Sequence, residues 1–330
     1  MYYDYQIFKL FQKAWNKHYL KIISKKVFYF ITLMKTIKKK YSNKHKTNKK
    51  SICAPSTEES FTCFTKKALI NIIKAWNNYY DTKIELKKND TKKKLWLKLN
   101  EKLDDKCSND YCWTKQEFLS KSKKNLQTKL QKKYFRPKKP QKWNSNEREW
   151  LNTYDINNVM KQYEKKYKNF HFIGAVPMDF DKKISFGSCV IDELCNINLK
   201  QLLNRGKSKI GVILNLDNHD QEGSHWVSLF CDFDSNNIYY FDSYGYKETN
   251  ETRNLMKRLQ QQGKELNKDI KIHINNNRHQ YKNSECGVYS INFIERLLKN
   301  ETFDNISSII TKDDDMFSNR QKYFMDENNI

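Results

Sequence analysis

Ile210 to Leu216 is apolar at nearly every position, and Trp226 to Phe233 repeats the pattern. Runs like these belong to strands buried on both faces, which require a sheet covered above and below. Ser235-Asn236-Asn237 carries turn chemistry and leads into Ile238-Tyr239-Tyr240-Phe241, so a hairpin is expected there. Phe172 to Val176 predicts a strand upstream, and Ile270-Lys271-Ile272-His273-Ile274 alternates as a half-buried one. Helices are expected from a capped start near Thr153 to about Tyr167, over 184–204, and from about Glu251 to Gly263. The expected fold class is α+β: a mixed central sheet flanked by helices, plus a small, mainly helical N-terminal module.

Charge divides the chain. Residues 1–140 hold 36 Lys and Arg against 11 Asp and Glu, a balance of +25; residues 141–330 hold 26 against 27, a balance of −1, giving the net +24. The basic excess therefore belongs to the N-terminal part, a two-module signature. Its first segment, residues 1–50, joins an amphipathic stretch at 5–23 and an apolar run at Val27 to Met34 to a lysine-rich linker, with eight lysines and no acid from Lys35 to Lys50. The apolar parts can lie on a membrane surface or dock on the rest of the protein.

Residues 51–140 read as the basic helical module. Thr65 caps a helix with Leu69, Ile72, Ile73 and Trp76 on one face, and Thr91 caps another with Trp96, Leu99 and Leu103. This order of helix, extended segment and helix is similar to SAP-like nucleic-acid-binding modules. Such a pair can contact phosphates, or simply present a solvated basic face. Pro137 and Pro140 break any helix and set the boundary to the second module, 141–310, after which 311–330 reads as a polar, loosely held tail. No apolar run approaches the roughly 20 residues of a spanning helix, so no membrane span is expected.

The eight cysteines show no regular pairing and no signal peptide is evident, so free thiols in a reducing compartment are expected. Cys53, Cys63, Cys107 and Cys112 share the basic module but lack Cys-x-x-Cys spacing and a supporting His, so neither a metal nor another cofactor is expected. Cys189 and Cys195 read as small core residues.

Cys286 differs from the others in its setting. Val288, Ile291, Ile294, Leu297 and Leu298 follow it at helical spacing, and Asn283 or Ser284 is placed to cap the start. A thiol in the first turn of a helix meets unpaired amides and the helix dipole, both of which favour the thiolate, the nucleophilic form. His225 begins one strand and Asp242 ends its hairpin partner, so the carboxylate can hold the imidazole in a productive tautomer. Asp232 and Asp234 are alternative acids nearby. Gln280 and the Cys286 amide can supply an oxyanion hole if the loop between them folds back. His273 and His279 are expected to be a strand and a loop residue without a catalytic role.

The order His225-Trp226, then Asp242-Ser243, then Gln280 to Tyr289 with Cys286-Gly287 inside it, resembles the SUMO-protease and adenovirus-proteinase superfamily. It excludes the papain order, in which Cys comes first. Gly223-Ser224-His225-Trp226, Tyr239 to Gly245 and Asn283 to Tyr289 are most similar to SUMO-protease-like thiol proteases of large cytoplasmic DNA viruses. The likeness covers roughly 143–300, with Glu285 where members often have Asp. It implies cleavage after a Gly-Gly pair, with Trp226 walling a narrow substrate tunnel. The leading expectation is a cysteine protease of viral structural polyproteins, acting in the virion or the viral factory of the host cytoplasm, with nucleic acid as a possible partner of residues 1–140. The rivals are a protease of SUMO- or ubiquitin-like conjugates and a nucleic-acid-binding packaging factor.

Overall fold

In the computed structural model the described residues are 52–57, 60–122 and 125–327, so the segments expected over 1–50 lie outside the described residues. The basic module contains the two anticipated helices, α1 (Lys66–Tyr79) and α2 (Lys92–Leu103), capped by the Thr65 and Thr91 side chains. Their apolar faces close on Phe64, Trp113, Phe118 and Phe135 in a core drawn from residues 52–135 together with Met325.

The second core is built on a sheet. Helix α3 (Thr153–Lys166) opens with a capping box between Asn152 and Asp155. It leads into β1 (Phe170–Pro177), followed by β2 (Lys209–Asn215), β3 (Trp226–Asp232) and β4 (Asn237–Phe241). Then come α4 (Asn250–Glu265), β5 (Lys271–Ile274) and α5 (Cys286–Leu298). The five strands lie in sequence order; β1–β2 and β4–β5 are parallel, and the two pairs between them are antiparallel. Asn236, at positive φ, makes the β3–β4 turn.

Alternation explains the two layers. Ile210, Val212 and Leu214 of β2 and Val227, Leu229 and Cys231 of β3 meet Leu255, Met256 and Leu259 of α4. Ile213, Phe230 and Phe241 point the other way, against α3 and α5. Both faces are covered, as the apolar runs required. Gly211 marks the closest approach: a Cβ there would lie 2.8 and 2.9 Å from the Phe170 ring and 3.4 Å from Ile294 of α5.

Three expectations are corrected. Residues 184–204 are not one helix; a 3-10 turn at Ser185–Gly187 and short helices at Asp192–Cys195 and Leu199–Asn204 replace it, because the closure between Cys189 and Cys195 interrupts the run. Six cysteines pair, Cys53–Cys63, Cys107–Cys112 and Cys189–Cys195, and only Cys231 and Cys286 remain free among the described residues. Each bridge closes a loop of ten residues or fewer, so no long-range spacing advertised it. Over its described residues, 311–327, the C-terminal stretch is not loose. It forms α6 (Asp313–Ser318) and α7 (Arg320–Tyr323), with Met316, Arg320, Tyr323, Phe324 and Met325 buried, and Met325 exchanges backbone hydrogen bonds with Pro137 and Lys139. Two of its charged residues, Asp313 and Arg320, are buried because partners distant in sequence satisfy them.

Gly211→Ala is expected to cost about 1–3 kcal/mol by overpacking the β1–α5 seam. A denaturant titration would register it as a lower midpoint at unchanged slope.

Candidate active site

Antiparallel pairing of β3 with β4 brings His225, just before β3, beside Asp242, just after β4. His225 Nε2 lies 2.7 Å from Asp242 Oδ1, and the same oxygen accepts the Tyr244 amide at 2.8 Å. Both side chains are buried. The Tyr244 ring stacks on the imidazole, centroids 4.6 Å apart. The Asn275 amide donates to the Asp242 carbonyl at 2.9 Å, fixing the strand end that carries the acid.

Cys286 is close enough to the same imidazole to act on its charge. Burial opposes charge on the ring, but Asp242 and Cys286 outweigh it and push the imidazole up to about 9. Cys286 is buried as the first residue of α5. Neither Asn283 nor Ser284 caps that helix: Glu285 occupies the N-cap without a side-chain cap, since its carboxylate is bound by Ser284 Oγ at 2.9 Å and Arg320 Nε at 2.7 Å. The backbone amides of the first turn thus have no side-chain cap competing for them.

Trp226 is buried, donating its indole N–H to the Leu151 carbonyl at 3.0 Å. A Cβ at Gly287 would meet Leu151 at 3.1 Å and Trp226 at 3.4 Å, so the residue after Cys286 packs directly on that pair. Gln280, at the start of the loop leading to Cys286, is fully buried; its Oε1 accepts from Ser243 Oγ at 2.7 Å and its Nε2 donates to the Lys282 carbonyl at 2.6 Å. An amide nitrogen has two N–H groups, so one remains beyond the bond to Lys282.

The other candidates lie elsewhere. Asp232 pairs with Lys209 at 3.2 Å and Asp234 binds Ser208 at 2.7 Å, both at the opposite end of the hairpin from His225. His273 binds Asn237 at 2.8 Å, and His279 sits against the Ser307 carbonyl at 3.2 Å, where burial lowers its pKa. Among the described residues no group of His, Cys, Asp and Glu could hold a metal ion, and no helix is long and apolar enough to cross a membrane. Tyr244 and Ser243 escaped the sequence reading as site residues, although both stand inside the motif around Asp242; stacking and side-chain reach leave no periodic trace.

The α+β fold and the family match define a cysteine peptidase of the SUMO-protease type. Residues 196–330 match the Ulp1 protease family, C-terminal catalytic domain. A protein of Acanthamoeba polyphaga mimivirus described as a thiol protease is 35% identical over 294 residues, spanning 84% of this chain and 94% of its own length. The chain belongs to the Ulp1 protease family. The African swine fever virus cysteine protease, strain Badajoz 1971, is 27% identical over 183 residues, covering 53% of this chain and 67% of its own. The crystal structure of the protease of that virus superposes with a TM-score of 0.57 at 21% identity, over 83% of this chain and 96% of that one, and shares the fold.

His225 is expected to titrate near 9 when followed by NMR, and Asp242→Asn to bring it down towards the ordinary value. Because the folded pKa is raised, the stability it contributes is complete below pH 6.5 and is lost as pH rises through about 9. Titration of the wild-type ring near 6.5 would contradict this assignment.

Proposed function

We propose that this peptidase uses Cys286 as nucleophile, His225 as general base and acid, and Asp242 to orient the imidazole, with Gln280 and the Cys286 amide binding the oxyanion. The observation that carries the reading is the buried imidazole held by Asp242 at 2.7 Å, with Cys286 acting on the same ring from the first turn of α5. The remaining N–H of Gln280, at the start of the loop leading to Cys286, supports the oxyanion role. Trp226, wedged between Leu151 and Gly287, supports a narrow approach that admits small residues such as a Gly-Gly pair.

The substrates proposed are viral structural polyproteins cut after Gly-Gly-type sites during particle assembly, in the virion or the viral factory. The viral origin of the relatives supports this. The basic residues of 1–140 would dock on nucleic acid or another virion component, a partnership supported by their +25 balance. A second reading, cleavage of SUMO- or ubiquitin-like conjugates, is favoured by a relative from African swine fever virus named a SUMO-1 cysteine protease.

Hydrolysis of a Gly-Gly-x peptide is expected to vanish in Cys286→Ala and to fall about 10²- to 10³-fold in kcat in Gln280→Ala. Undiminished turnover by Cys286→Ala would end the mechanism. A ubiquitin-like probe with a C-terminal electrophile separates the substrate readings: efficient labelling favours the conjugate protease.

A further inference from the structure

The loop from Gln280 to Cys286 is gripped from outside by the C-terminal segment. At one end Asp313 Oδ2 accepts the backbone N–H groups of Tyr281 at 2.9 Å and Lys282 at 3.0 Å, while its Oδ1 accepts the Tyr289 hydroxyl at 3.2 Å. Lys282 is also the residue whose carbonyl takes the Gln280 amide. At the other end Arg320 Nε reaches Glu285 Oε2 at 2.7 Å and its Nη2 reaches the Ser284 carbonyl at 3.1 Å. Nη1 of the same guanidinium donates to the Glu147 and Glu149 carbonyls at 2.7 and 2.8 Å, just upstream of the Leu151 that receives Trp226. The guanidinium lies over the Trp143 ring, 4.4 Å from its centroid. Asp313 and Arg320 are both buried, at 7% and 3% exposure, so these bonds are made away from competing water.

From this geometry we infer that Asp313 and Arg320 are positioning residues for the reaction, a two-point brace that sets the Gln280 side chain and the Cys286 amide at the spacing an oxyanion needs. The loop 280–285, which carries Gln280 up to the start of α5, has no secondary structure of its own, and the brace supplies the missing rigidity. Neither residue touches substrate. Asp313 acts through the Tyr281 and Lys282 amides, Arg320 through Ser284 and Glu285. The inference rests on the oxyanion role proposed for Gln280.

The test compares a reaction that needs the oxyanion hole with one that does not, in the full chain. Asp313→Ala is expected to lower kcat for the Gly-Gly-x peptide about 10- to 100-fold, leaving KM and the rate of Cys286 alkylation by iodoacetamide within about twofold. Asp313→Asn, which keeps an acceptor oxygen for the two amides, is expected to recover most of the loss. The double variant Gln280→Ala/Asp313→Ala is expected to be no slower than Gln280→Ala alone, since one residue works through the other. If Asp313→Ala does not fold, Arg320→Lys, which keeps the charge but loses the fork, is read by the same measures. Full kcat in the brace variants beside an impaired Gln280→Ala overturns the inference. So does alkylation that falls in step with kcat, the mark of a merely structural role. Full kcat in Gln280→Ala overturns the oxyanion role itself, and the brace with it.

Discussion

Helix α5 is buried on almost every side: of its thirteen residues only Arg296 is not buried. A helix apolar around most of its circumference must lie inside the molecule, and here the β-sheet takes one face while α3 and the C-terminal helices close the rest. That burial determines where Cys286 stands, because the first residue of a helix locked on all sides cannot shift along the sheet. The Ser290 hydroxyl adds register by donating to the Trp226 carbonyl at 3.2 Å, tying the helix that begins at Cys286 to the strand that begins beside His225. Gly211 permits the approach, since any side chain there would strike Phe170.

Around this fixed point the polar groups form a connected set in low dielectric. Tyr244, Asp242 and His225 run in one chain, Ser243, Gln280 and Lys282 in a second, and Glu285, Arg320 and Ser284 in a third. Buried polar groups are costly when one member is missing, so such sets hold a single arrangement when complete. Breaking a buried ion pair like Glu285–Arg320 by removing one partner typically costs about 3–5 kcal/mol. The pKa of the imidazole is raised because its neighbours outweigh the penalty of burial.

The basic module and the sheet domain each have their own apolar core, and Met325 crosses between them. The backbone bridge from Met325 to Pro137 and Lys139 ties the segment that grips the 280–285 loop to the end of the basic module, while Arg320 and Phe324 of the same segment meet Glu147 and Trp143 beyond it. The terminal helices thus join parts that composition alone separates by charge.

The strands at 210–216, 226–233 and 238–241, the turn at Asn236, the capped helices α1 to α3 and the pairing of His225 with Asp242 across the hairpin were legible in the chain. Each depends on local period, local turn chemistry or motif order, which a linear text carries. What it did not carry was any arrangement that depends on contacts between distant positions. The disulfides, the broken helix at 184–204, the stacking of Tyr244 on His225 and the burial of a polar C-terminal stretch belong to that second group. Polarity at 311–330 suggested solvent, yet Arg320 is buried because Glu285, thirty-five residues upstream, is there to receive it. A covered sheet and a cysteine at a helix start could be read from local pattern. What holds the loop before Cys286 could not, because a buried charge is tolerable only beside a partner that folding brings to it.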